Sequence, residues 1–449
     1  MSRAAALKPG ASLAGWGGLG VEATLEVSED FRSLSQGANI SRGLGRSYGD
    51  AALPASGGRI VGSQRANKVL GFDAETGLLH AEAGFSMTDI KRVFLERGFY
   101  SPVSPGTQYV TLGGMVASDV HGKNHHVNGT LGQHVEEITL RVADGRVVTC
   151  SADQHAELFY ATQGGMGLTG HILDAKVRLE KIPSPWIWSE KQSVANIRES
   201  VAALREAAAQ WPMTVSWIDC LATGRSLGRG YLWRGRWAQP HEAPRRPPGP
   251  SFSPTVPFRM PNWLMNRWSI QLVNEAIFRV NTIPTQGPAT PQSFFYPLDA
   301  IHHWYRLYGH RGFTQHQAVI PYEAGEDAIV GYVELIARLG GASPLCVLKD
   351  CGAEAKGTLS FPMPGMSVAL DLPMTRDIPH IIESLNRYVV DHGGRIYLTK
   401  DAFTSREHFE AMEGERLDRF NHIRRTWDPD RKIRSALSVR LFGDAEEGL

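Results

Sequence analysis

From Ser104 to His126 the chain reads SPGTQYVTLGGMVASDVHGKNHH, where glycines alternate with hydrogen-bond donors. Pro105, Gly106 and Thr107 open the run, Thr111, Gly113, Gly114 and Ser118 continue it, and His121, Gly122, Lys123, Asn124, His125 and His126 close it. Glycine lets backbone approach a ligand closely and leaves N–H groups free to point at phosphate oxygens. An earlier segment, SRGLGRSYGD at 41–50, has the same character with two arginines added: Arg42, Gly43, Leu44, Gly45, Arg46, Ser47 and Tyr48. Two such loops predict a long, diphosphate-containing cofactor gripped from two sides.

Other clusters fit less well to familiar chemistry. Gly165-Met-Gly-Leu-Thr-Gly170 satisfies GxGxxG, but it follows a helix pattern and opens a strand, the reverse of a dinucleotide fingerprint. A P-loop around Gly122-Lys123 fails at Ala117 and Asn124. His121 and His125 stand at i, i+4, but no HExxH glutamate accompanies them and Gly122 interrupts a helix, so no metal site is assigned. These histidines read instead as cofactor and substrate contacts. Gln315 and Gln317 lie two apart on a strand pattern and share a face; neutral amides there suit sugar hydroxyls, and a solvated sheet face is the plain alternative. Lys349, in PLCVLKD, could pair with a phosphate.

Together the two glycine-rich loops resemble the FAD-binding domain of the vanillyl-alcohol-oxidase-type flavoproteins, and most nearly the decaprenylphosphoryl-ribose 2-oxidase family. The likeness continues through AELFYATQGGMGLTG (156–170), FTQHQAVIP (313–321), LSFPMPG (359–365) and GGRIYLTKD (393–401), and so covers nearly the whole chain. It implies that both loops, with Gly167, Gly170, Ile172 and Tyr397, hold FAD. It also implies that Lys123, Gln315, Gln317, Lys349 and Lys400 meet the substrate. Lys400, Tyr397 and His121 are the implied catalytic groups: a hydride leaves a carbinol carbon only as its hydroxyl proton is removed or its alkoxide stabilised. As bare sequence, Lys400 would read as a surface lysine. Relatives with covalent flavin place a linking histidine where this chain has Tyr48, so the resemblance implies noncovalent FAD. Mycobacterial members carry a cysteine where Ala369 stands here, which alters the pocket lining but not the hydride chemistry.

The elements that position these residues read as α+β. Segment 77–142 alternates short strands with helices: a strand at GLLHAEAG, an amphipathic helix at SMTDIKRVFLERG, then a hairpin turning at Ala143-Asp144-Gly145. LTGHILDAKVRLEKI alternates like a half-buried strand, and Pro183-Ser184-Pro185 breaks the pattern. The expected division is an FAD-binding domain at 1–183, a substrate or cap domain with antiparallel sheet at 184–393, and a C-terminal segment at 394–449 returning to the first. Within the cap, EAPRRPPGPSFSPTVPFRMP (242–261) holds seven prolines and reads as a mobile loop. Trp263–Trp268 and the SIQLVNEAIFRV after it read first as an ordinary cap-domain core helix, with a lipid-touching interfacial helix as the alternative.

At 449 residues the chain exceeds one ordinary core. With 21% charged residues and a net charge of +1, nothing points to a nucleic-acid partner. Four scattered cysteines without CxxC spacing suit a reducing compartment. No signal peptide or membrane span is evident, so a cytoplasmic location is expected, with a peripheral place at the inner membrane open. The resulting expectation is noncovalent FAD-dependent oxidation of a sugar secondary alcohol, implied by the resemblance to be C2 of a polyprenyl-phosphate-linked ribose. A separate NAD(P)H-dependent keto-reductase would complete epimerisation to the arabinose form. An alditol or aldonolactone oxidase, or a flavin-binding protein without turnover, remain the alternatives.

Overall fold

Short β-branched and aromatic runs separated by glycine turns build three sheets that matter for the site. The computed structural model describes residues 7–249, 253–341 and 343–445. Strands β1 (Leu25–Val27), β2 (Ile40–Arg42) and β3 (Ile60–Gly62) form a small parallel sheet in the order β1-β3-β2. Next come β4 (Val69–Asp73), β5 (Leu78–Glu82), helices α1 (Met87–Phe94) and α2 (Leu112–Ala117), β6 (Val135–Arg141), β7 (Val147–Ser151), α3 (Ala156–Thr162) and β8 (His171–Arg178). Their strands pair antiparallel in the order β7-β6-β8-β5-β4. Ser86 caps α1 in a reciprocal capping box with Asp89, the predicted amphipathic helix. The expected half-exposure of β8 is not seen: it is central in its sheet and buried on both faces up to Val177 apart from half-buried Lys176.

The second half of the chain supplies β9 (Ile187–Val194), α4 (Ile197–Ala208), β10 (Met213–Ile218), β11 (Gly230–Trp237), α5 (Arg267–Asn281), β12 (Thr285–Ala289), β13 (Phe313–Pro321), α6 (Glu326–Arg338), β14 (Cys346–Cys351), β15 (Gly365–Pro373), α7 (Ile378–Asp391) and β16 (Arg395–Ile396). They make one antiparallel sheet in the order β12-β9-β11-β10-β14-β15-β13-β16. Helices α4, α6 and α7 pack their leucines, isoleucines and valines over one face as the largest apolar core. β13 is buried along its whole length. Its even residues face those helices, where His316 bonds Tyr332 and Asn386, and its odd residues Gln315 and Gln317 face a cavity.

After β16 the chain crosses back. Helices α8 (Glu415–Trp427) and α9 (Ala436–Phe442) bury Phe420, Ile423 and Ala436 against Ile40 and Ile60 of the first sheet and against Leu53 in the loop between them. The described part of the proline-rich segment 242–261 holds no strand or helix, only an isolated bridge from Thr255 to His302; residues 250–252 of the expected loop lie outside the described residues. The expected core helix is corrected: in α5 only Ile270 and Asn274 are buried, and its apolar stripe faces outward.

Candidate active site

A cavity with about 1630 Å³ of empty space, including its open mouth, runs between the glycine-rich loops and the eight-stranded sheet. Both glycine-rich loops and the sheet residues Gln315, Gln317, Lys349 and Ala369 line it, so a ligand lying along it meets both walls.

The dinucleotide end is made where the two loops meet. A Cβ on Gly43 would lie 2.3 Å from Thr111 Oγ1, so only glycine permits this approach of loop to loop. Thr111 caps α2 through Gly114 N–H. Met166 N–H donates to Ala117 O at 2.9 Å, laying the 165–170 glycine turn against the same helix. Arg42 braces the loop by donating to Ala14 O (2.7 Å) and Ala52 O (3.0 Å). Arg46 lies over the Trp16 ring at 4.0 Å, and its buried Nε has no partner. Burial, and then the Arg46 charge, lowers Arg42 to about 10, which keeps it protonated.

These features fit FAD. Two half-buried cations, Arg42 held by backbone carbonyls and Arg46 offset by Asp299, suit a diphosphate. A Cβ on cavity-lining Gly106 would meet nothing within 4 Å, so its missing side chain is open floor rather than packing. The residues that would hold the cofactor are Arg42–Tyr48, Pro105–Thr107, Thr111, Gly113, Gly114, Ser118, His121, Gly167, Gly170, Ile172 and Tyr397, all of which line the cavity.

At the other end, His121, Gln315, Gln317, Lys349, Ala369, Tyr397 and Lys400 converge from three strands and two loops. Tyr48 N–H donates to Thr399 O at 2.9 Å, and Lys400 Nζ sits 4.0 Å from the Tyr48 ring centroid, the position a linking histidine would take. Burial, countered by Asp371 and reinforced by Lys349, lowers Lys400 to about 7. Burial lowers Lys349 to about 8. Asp371 lies beneath: Gln315 Nε2 donates to one of its oxygens and Tyr308 Oη to the other at 3.2 Å. Gln315 is thereby turned with its carbonyl oxygen unused by this pair. Gln317 Nε2 bonds His121 Nε2 (3.0 Å) and Ser367 Oγ (3.1 Å). Burial first, then the Lys349 ammonium, holds His121 well below its ordinary value and neutral. The site is thus a buried strip of neutral amides and imidazole with two amines poised near neutrality.

Several sequence expectations are corrected. Gly122 and Lys123 do not line the cavity. Gly122 turns against Ser104, where a Cβ would come within 2.8 Å of the carbonyl oxygen. That turn aims Lys123 outward, its ammonium on the Phe294 carbonyl and 4.9 Å from the Trp233 ring. His125 accepts from Gly352 N–H (3.0 Å) and His126 bonds Trp211 O (2.8 Å), so they buttress the larger sheet instead of meeting a ligand. Tyr397 Oη donates to Ser118 O at 3.1 Å and burial raises its pKa, so it orients its ring and is not placed to take a proton. The solvated-face alternative for Gln315 and Gln317 falls, since both are buried.

Other lining residues carry no motif: Trp16, Asp299 and Trp304. Asp299 accepts from Thr107 Oγ1 (2.9 Å) and Gln108 N–H (2.8 Å), clasping the second loop from far along the chain. Asp371 was findable: it lies two residues beyond Ala369 on β15, hence on the same face, and pairs with Gln315 across β13.

Residues 36–151 match the FAD-binding domain model, and with the cavity just described this makes the chain an FAD-dependent oxidoreductase. It is 35% identical over 410 residues to the decaprenylphosphoryl-beta-D-ribose oxidase of Mycolicibacterium smegmatis, covering 90% of this chain and 88% of that protein. The chain therefore belongs to the decaprenylphosphoryl-ribose oxidase family. It is also 29% identical to an uncharacterized protein of Streptomyces coelicolor, over 78% of this chain and 98% of that one. A 30% match to mouse L-gulonolactone oxidase spans only 35% of either chain.

Proposed function

We propose that this enzyme oxidises the C2 hydroxyl of a polyprenyl-phosphoryl ribose to a ketone, the first half of its conversion to the arabinose form. The reading is supported above all by the near-full-length likeness to an oxidase of that name, whereas the likeness to a lactone oxidase covers about a third of the chain. FAD, when bound, supplies the two-electron acceptor for the C2 hydrogen. Lys400, brought down to about 7 so that about half of its amine is neutral at pH 7, takes the hydroxyl proton. The carbonyl oxygen of Gln315 and the amide of Gln317 hold neighbouring hydroxyls. Lys349 keeps most of its charge and pairs with the phosphodiester. A keto-reductase using NAD(P)H on a separate chain completes the inversion. The domain division at 183/184 and 393/394 is proposed with it, and so is a peripheral position on a bilayer, where a polyprenyl substrate resides; no helix among the described residues is long and apolar enough to cross a membrane.

The site of oxidation is tested by reducing the product with borodeuteride. Deuterium at C2, in both ribo and arabino isomers, is the expected result; label at another carbon would contradict the assignment.

With Tyr48 in place of a linking histidine, the proposed FAD is noncovalent. Acid or heat denaturation should release it into the supernatant, leaving a colourless precipitate. Flavin that stays with the polypeptide would overturn this part.

A further inference from the structure

Helix α5 is built inside out. Trp268, Leu272, Ala276, Val280 and, just beyond the helix, Ile283 recur at helical spacing and are exposed; Trp268 is 78% exposed, Leu272 74% and Val280 77%. Its inward face seats Ile270 in the core but otherwise carries polar anchors. Asn274 donates to Asp219 Oδ1 (2.8 Å) and Ser343 O (3.1 Å), Glu275 pairs with Arg229, and Asn281 accepts from Lys191 Nζ at 3.0 Å. A helix turned to water would show the opposite arrangement. Phe258 and Trp263 extend the apolar surface ahead of the helix.

The charges around this ridge indicate what covers it. Segment 241–283 contains five arginines, at 245, 246, 259, 267 and 279, and two acids, Glu242 and Glu275. Both acids are already paired with arginine, Glu242 with Arg236 and Glu275 with Arg229 and Arg279. The outward charge is therefore cationic. Tryptophan beside arginine at an apolar–polar border suits a bilayer interface, and excess arginine suits anionic headgroups. The ridge is fastened to the cavity wall: Met260 N–H donates to Arg306 O (2.9 Å) and Arg306 to Val256 O (2.8 Å), within the stretch holding Trp304 of the lining and Tyr308, the partner of Asp371.

We propose that α5 and the exposed aromatics preceding it form a docking ridge that lies in the surface of an anionic lipid bilayer beside the cavity mouth. This deepens the peripheral position proposed above, but its test uses no substrate, so either can fail without the other. The FAD-loaded full chain is sedimented with phosphatidylcholine vesicles, with and without phosphatidylglycerol. The wild type should sediment with the mixed vesicles and far less with phosphatidylcholine alone. Trp268→Gln with Leu272→Gln should weaken that binding by at least about tenfold, because each removes an apolar group from the interface. Arg267→Glu should reduce the preference for phosphatidylglycerol. Both side chains changed in the first variant are solvent-facing, and unchanged flavin content would show that it is folded. The proposal is overturned if the wild type stays in the supernatant with both vesicle types, or if the glutamine variant binds as well as wild type. A concentration-dependent dimer abolished by the same variant would also overturn it, by making a second copy the occupant.

Discussion

Replacing Lys400 with Ala should lower the rate of flavin reduction by about 10²–10⁴-fold while leaving most of the FAD bound. That is the usual contribution of a positioned acid–base or electrostatic group. The retention of cofactor follows from where the lysine lies, at the substrate end beside Gln315, Gln317 and Lys349, where it meets the first glycine-rich loop at Tyr48 rather than at Arg42 or Arg46. Because burial brings this amine down to about 7, and because it must be unprotonated to take a proton, wild-type flavin reduction should rise as pH increases through about 7. That limb should vanish in the variant. Activity within a factor of about three of wild type would remove Lys400 from the chemistry, and loss of all flavin would make it a cofactor ligand.

The second large effect is on stability. Arg440, on α9, is largely buried and grips two loops at once, its carboxylate partners Asp50 and Asp401 both buried. It holds Asp50 with both Nε and Nη2 at 2.8 Å, pairs with Asp401 at 2.8 Å and donates to Thr404 O at 2.6 Å. Asp50 ends the first glycine-rich loop and Asp401 follows Lys400, so one guanidinium fixes the separation of that loop from Lys400. Removing one partner of a buried ion pair costs about 3–5 kcal/mol because it strands the other charge, and here two carboxylates are stranded. Arg440→Ala should therefore lose at least about that much in urea unfolding and bind FAD more weakly. A loss below about 1 kcal/mol would show that water or rearrangement replaces the clamp.

Such long-range clamps are what the sequence conceals. Asp50, Asp401 and Arg440 each look like ordinary charges, and only the fold brings them within contact. The glycine-rich loops were readable because close backbone approach demands glycine at particular places, as at Gly43 against Thr111. Gln315 and Gln317 were readable because strand alternation puts them on one face, though whether that face met water or a cavity depended on which sheet covered it. Lys123 was misplaced because a turn at Gly122 reverses the direction of the next side chain. For α5, spacing revealed an apolar stripe but not its orientation; the inward polar bonds of Asn274 and Asn281 decide that, and their partners lie in distant strands and loops. The half-buried Lys349 and the fully buried Asp371 likewise owe their environment to strand order in the larger sheet.

The central claim is that this buried strip of amides and amines oxidises a lipid-linked ribose. It is tested most directly by mixing the FAD-loaded protein anaerobically with short-chain prenyl-phosphoryl ribose, free ribose, ribitol and an aldonolactone, and following flavin bleaching. The account predicts rapid bleaching by the prenyl-phosphoryl ribose and slow or no bleaching by the others. Equal bleaching by free ribitol or the lactone would contradict it in favour of an alditol or lactone oxidase, and no bleaching by any of them would contradict it in favour of a flavin-binding protein without turnover.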